Sequence, residues 1–240
     1  MKEVVRAMTE DPNAEVFKSV AALAKSDTSL CKALIDAGAI ESLVPLLADL
    51  DDSATLNASF EALAAFCSTS GGVDRVVAAG GLEFVIDHLR EEIDGASTDQ
   101  LAKAVNLLQS ITTSGSSKVG GVNIPTILVE AGVLDLVNDS LAQIISAGSG
   151  DVEIATGLQD LLTSMLTSAK DMEPGASGVV SQGVLSSGIV QHVDALMASD
   201  QTYMSNVECV MATNQMLAAL VNGGLAEGLV SGCCPVLTTS

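Results

Sequence analysis

The sequence predicts an all-α protein assembled from recurring helical units, and three observations lead there. Apolar residues return at spacings of three and four along most of the chain, the mark of amphipathic helices. A short glycine-centred string comes back several times in the same order. No stretch shows the strict apolar and polar alternation, in strand-forming residues, of a half-buried strand.

Ile40, Leu43, Val44, Leu46, Leu47 and Leu50 fall on one broad face, and Leu56, Phe60, Leu63 and Cys67 on the next. Ile154, Leu158, Leu161, Leu162 and Met165 repeat the arrangement further on. Between such faces, Ala37-Gly38-Ala39-Ile40-Glu41-Ser42-Leu43 recurs as Ala79-Gly80-Gly81-Leu82-Glu83-Phe84-Val85. It returns as Ala131-Gly132-Val133-Leu134-Asp135-Leu136-Val137 and as Ser187-Gly188-Ile189-Val190-Gln191-His192-Val193, with a degraded copy at Gly223-Gly224-Leu225. Each glycine is expected to take the left-handed backbone conformation at a helix end, so that the chain turns sharply into a new helix. Two Ser/Gly-rich stretches, 113–123 and 170–182, read as surface insertions inside the repeats, because the helical pattern resumes after each.

Composition narrows the function classes. Thirty Asp and Glu against ten Lys and Arg give a net charge of −20 over 240 residues. Nucleic acid and anionic membrane surfaces both need a positive footprint, so neither is expected as a partner. An apolar fraction of 48% excludes a disordered chain, although only 2% of residues are aromatic. Five cysteines, an odd number with no C-x-x-C pair, argue against a disulfide framework or a zinc site and for buried thiols in a reducing cytoplasm. The N-terminus lacks the apolar run of a signal peptide, and no 18-residue stretch stays apolar. The sequons at Asn57 and Asn138 fall within helical patterns and read as chance.

Residues 28–50 resemble an armadillo repeat: a short first helix, the Ala37-Gly38 corner, and a second helix carrying Val44-Pro45-Leu46-Leu47, with the longer third helix following as 54–68. Similar triplets lie at 75–114, 125–168 and 180–222, with a partial unit at each end. The glycines stand 42, 52, 56 and 35 residues apart. The first interval matches the about 40 to 47 residues of such units, and the next two exceed it by about one loop each. The resemblance implies one domain over 1–240 of about four to five units, forming a right-handed superhelical solenoid. It also implies a concave groove lined by the third helices, occupied by extended peptides or helices of other proteins, and no catalysis.

Aligned on their own pattern, the third helices place Phe17 to Ala24 over Phe60 to Cys67, then Val105 to Thr112, Gln159 to Leu166 and Asn214 to Val221. Nuclear-import members of the family carry Trp and, four residues later, Asn in this helix, which clamp a basic peptide. Here the first position holds Lys18, Glu61, Asn106, Asp160 and Gln215, and the second Ala22, Ala65, Ser110, Ser164 and Ala219. That clamp is absent. A polar row remains, and Lys18, Glu61, Asn106, Asp160 and Gln215 are the candidate groove-facing binding residues.

No constellation reads as catalytic or metal-binding. His88 and His192 are isolated in predicted second helices, and no G-x-S-x-G elbow is present. The loop from Ser114 to Gly121 lacks the phosphate-loop order, and the acidic groups Asp49/Asp51/Asp52 and Glu91/Glu92/Asp94 lack the ligand spacing for calcium. They suit helix N-termini instead. No cofactor is expected. All ten basic residues precede Asp171, and Met204, Met211 and Met216 are expected to fill core. The last unit shows no polar cap after Leu225, Leu229 and Val230, so the expectation is that the last segment folds back, that another chain covers this end, or that the molecule is a piece of a longer array. The expected role is a cytoplasmic, non-enzymatic adaptor binding a protein segment, basic in view of the charge, or else extended. The alternative is a structural module of a cytoskeletal or ciliary assembly.

Overall fold

Four of the recurrent glycines set the architecture. In the computed structural model, which describes residues 1–50, 52–69, 71–92, 98–114, 118–119, 122–147, 151–172, 174–199 and 201–222, Gly38, Gly80, Gly132 and Gly188 have φ of +88°, +82°, +87° and +90°. A side chain at such a φ is strained, which is why glycine recurs there. Each also starts the next helix: its carbonyl accepts the N–H four residues on, from Ser42, Phe84, Leu136 and His192, at 3.0–3.2 Å. The degraded copy at Gly223 lies outside the described residues.

A leading pair, α1 (Lys2–Glu10) and α2 (Ala14–Ser26), is followed by triplets. The first is α3 (Thr28–Asp36), α4 (Ala39–Leu46) and α5 (Ser53–Cys67), with a 3-10 turn at Leu47–Asp49 after Pro45 in the last turn of α4. The second is α6 (Gly72–Ala78), α7 (Gly81–Glu92) and α8 (Thr98–Thr113), and the third is α9 (Ile124–Glu130), α10 (Val133–Ala147) and α11 (Val152–Met172). The last is α12 (Pro174–Ser186), α13 (Ile189–Ser199) and α15 (Val207–Leu220), with the short α14 (Gln201–Ser205) before α15. Polar caps fix several starts. The Asn13 side chain accepts from the Val16 N–H, Asp27 from Ser29 and Leu30, Asp52 from Thr55, and Asn206 from Glu208 and Cys209. Asp52 thus does what its place before a helix predicts, and the Thr55 hydroxyl and N–H hold its carboxyl below the ordinary range.

The long helices stack in succession: α2 on α5, α5 on α8, α8 on α11, and α11 on α15. The second helices form an outer row, with α7 on α10 and α10 on α13. Between the rows runs one continuous apolar seam through Phe17, Phe60, Phe66, Leu107, Leu158 and Met216, all buried. Polar bonds between neighbours fix the register. The Gln109 Nε2 donates to the Gly157 carbonyl at 3.0 Å, and the Arg75 Nη1 donates to the Ile35 carbonyl at 2.9 Å. A buried chain links Tyr203 Oη, Thr213 Oγ1 and Gln159 Oε1 at 3.2 and 3.1 Å, fastening α14 and α15 to α11.

Three expectations are corrected. The insertion expected at 170–182 is mostly helix, because α11 runs to Met172 and α12 begins at Pro174. Proline suits a first helical position, where its missing N–H costs nothing. Within 113–123 a two-residue ladder pairs β1 (Lys118–Val119) with β2 (Val122–Asn123), too short for alternation to betray it. Met204 and Met211 are 46% and 54% exposed and only Met216 is core, because α15 is the last described rung and no helix lies across its outer face among the described residues.

Candidate functional site

The stacked third helices leave a groove of about 710 Å³ along their free side. It spans α2, α5, α8, α11 and α15, and helical spacing explains which residues face it. Residues three, four and seven apart share one face. From Glu61 of α5, that rule brings in Ala64, Ala65 and Ser68. From Asn106 of α8 it brings in Lys103, Gln109, Ser110 and Thr113, and from Asp160 of α11 it brings in Thr163 and Ser164. Lys25 closes the α2 end and Gln215 the α15 end.

Four of the five candidates, Glu61, Asn106, Asp160 and Gln215, therefore line one groove. Lys18 does not: it points along α2 toward Glu15, whose carboxylate lies 3.3 Å from its Nζ. In the second row, Ala65, Ser110 and Ser164 are also in the lining, and their small side chains leave its floor open. Sequence reasoning missed Lys25 and Lys103. The signal was present, since Lys25 stands two turns after Lys18 and Lys103 one turn before Asn106.

Hydroxyls in the lining are largely engaged with their own helices: Ser110 donates to the Asn106 carbonyl, Thr113 to Gln109 and Thr163 to Gln159, at 2.8–2.9 Å. The amides of Asn106 and Gln215 are exposed and without a side-chain partner among the described residues. They offer paired donor and acceptor groups of the kind that a peptide backbone requires.

Charge in the groove is arranged with care for position. Lys103 Nζ meets Glu61 Oε1 at 2.5 Å, tying α8 to α5. That ammonium, more than any other group, holds the Glu61 carboxyl below its ordinary range, against burial that pushes the other way; Lys25 and Lys18 add smaller pulls. Asp160 moves oppositely: burial raises its carboxyl, and the neighbouring Glu208 charge adds to the rise.

The histidines stand elsewhere. His88 stacks on Phe84, with ring centroids 5.8 Å apart, and meets Phe60 edge-on. His192 Nδ1 lies 3.0 Å from Asn138 Oδ1, joining α13 to α10. Among the described residues no group of three or more His, Cys, Asp or Glu could hold a metal ion, and no helix is long and apolar enough to cross a membrane.

No protein-family model and no curated protein matches the sequence. Solved structures do match. An engineered protein of known crystal structure is 18% identical with a TM-score of 0.60, over 92% of this chain and 98% of that one. A designed armadillo repeat protein in complex with the peptide (KR)4 is 16% identical with a TM-score of 0.56, over 92% and 99%. A computationally designed armadillo repeat protein for modular peptide recognition is 15% identical with a TM-score of 0.50, over 91% and 99%. Likeness at such low identity speaks for the backbone, and with the glycine-cornered triplets and the stacked third helices it gives one conclusion: the chain has the armadillo-repeat fold.

Proposed function

We propose that the protein is a non-catalytic binding module that holds an extended segment of another protein along the groove of its third helices. The observation that carries this reading is the continuous groove itself, open-floored at Ala65, Ser110 and Ser164 and flanked by the free amides of Asn106 and Gln215. An extended peptide presents unpaired N–H and C=O groups along its length, and side-chain amides on successive helices suit them. The designed relatives in fold, one made for modular peptide recognition and one in complex with (KR)4, support the same class of ligand. The net charge of −20 favours basic segments at long range. The three described cysteines are buried, which fits a cytoplasmic home.

The test is selection of peptides from a random displayed library, followed by affinity measurement on two variants. Ser110→Trp fills the groove floor and should weaken selected peptides at least tenfold, while Glu83→Gln on the outer helix α7 should leave them unchanged. Selected peptides indifferent to Ser110→Trp would remove the groove as the site. A second role, as a fixed module of a cytoskeletal or ciliary assembly, is favoured by the exposed Met204, Val207 and Met211 at the α15 end.

A further inference from the structure

The chain has few cations, ten in 240 residues, yet two of them line the groove and a third stands on the same helix as one of the two. Their engagement differs. Lys103 is occupied by Glu61, so the middle of the groove is electrically closed. Lys25, in the last turn of α2, has no carboxylate within ion-pair distance among the described residues, whereas Lys18, two turns earlier on the same helix, is paired with Glu15 outside the groove lining. At the other end, Asp160 of α11 has no cation paired with it among the described residues, and Glu208 of α15 stands close enough to act on its charge. The groove therefore runs from free positive charge, through a neutral pair, to free negative charge.

We propose that the groove selects a charge-polarised segment of another protein, with acidic residues at the α2 end and basic residues at the α11–α15 end. This rests on the reading of the groove as a peptide site and adds which peptides it takes. A uniformly basic segment sets ammonium groups against Lys25, and a uniformly acidic one sets carboxylates against Asp160 and its neighbour Glu208. Such like-charge contacts reject partners as effectively as matched ones attract them. The spacing also follows. From α2 to α11 is three steps between neighbouring helices, about 24–30 Å at about 8–10 Å each. An extended chain advances about 3.3 Å per residue, so the two charge centres of the ligand stand about seven to nine residues apart.

Three labelled 12-residue peptides test this by fluorescence anisotropy at low salt, each with two four-residue blocks around a four-residue Gly/Ser spacer, which sets the block centres about eight residues apart. One carries a glutamate block and a lysine block, one two lysine blocks, and one two glutamate blocks. The mixed peptide should bind at least tenfold tighter than either uniform one. Lys25→Glu should weaken it about tenfold and improve the lysine peptide, and Asp160→Lys should weaken it likewise and improve the glutamate peptide. Circular dichroism checks that the variants fold. If the lysine peptide binds tightest and Ser110→Trp still abolishes its binding, the polarity is refuted while the groove stands as a peptide site. If no peptide shows binding that Ser110→Trp removes, both are refuted.

Discussion

Cys67 shows how completely a single side chain can be enclosed here. It is fully buried at the end of α5, and burial, aided by the nearby Cys31, pushes its thiol up to about 12. Cys31 is itself engaged, accepting from the Thr69 hydroxyl at 3.0 Å and lying 3.7 Å from the Ala65 carbonyl. Only thiolates alkylate, so Cys67 should stay unlabelled by iodoacetamide at pH 8.5 in the folded protein and label once guanidinium unfolds it. Peptide mapping by mass spectrometry reads this out, and native labelling would refute the enclosure. The raised folded value also fixes a sign: the unfolded chain loses this proton first, so the contribution to stability is intact below pH 9 and is lost as the pH climbs toward 12. Burial of such thiols was legible from composition alone. The groove was legible at Glu61, Asn106, Asp160 and Gln215 because an alignment of helices fixes a register, and a register fixes a face. Lys25 and Lys103 escaped because one position per helix was aligned, whereas a groove is bounded by whole faces two turns long.

At the scale of the element, glycine carries two opposite meanings that composition does not separate. Corner glycines were recognisable because their neighbours repeat. Gly175 and Gly178 of α12 read as loop in the sequence, whereas Gly183, just beyond that stretch in the same helix, lies where an added Cβ would come within 2.6 Å of Leu134 Cδ1 of α10. There glycine serves close packing of helices. Nothing in one sequence distinguishes that use from a turn, since the partner surface is 49 residues away in the chain. The distinction is testable with two alanines. At Gly72 an added Cβ would sit 2.0 Å from the Phe66 carbonyl oxygen, in backbone that cannot swing aside. Gly72→Ala should destabilise by about 3 kcal/mol in urea unfolding. Gly178, within α12, has nothing within 4 Å, so Gly178→Ala should stabilise by about 0.5–1 kcal/mol through helix propensity. Equal effects at the two sites would contradict this assignment.

The whole molecule is a ladder whose rungs touch their neighbours, so its two ends differ from its middle. Of the eight large apolar side chains exposed among the described residues, Met1 and Leu23 stand at the first two helices and Met204, Val207, Met211 and Val221 at the last described rung, with Val122 and Val179 between them. If this end is a fixed contact in a larger assembly, the isolated chain should self-associate in sedimentation velocity runs. High salt should strengthen that association by screening the net charge of −20, whereas it should weaken peptide binding in the groove. Met211→Lys should restore the monomer, and a monomer over a hundredfold range of concentration would dismiss the assembly role. The opposite salt responses keep the two surfaces experimentally apart.

The side-by-side stacking of α2, α5, α8, α11 and α15 has one more consequence. Because every helix advances the groove by one fixed step, the molecule acts as a gauge: duplicating or deleting a triplet would move its oppositely charged ends apart or together by one helix width. A lineage could retune the length of sequence it measures by copying a module, with no residue in the groove redesigned.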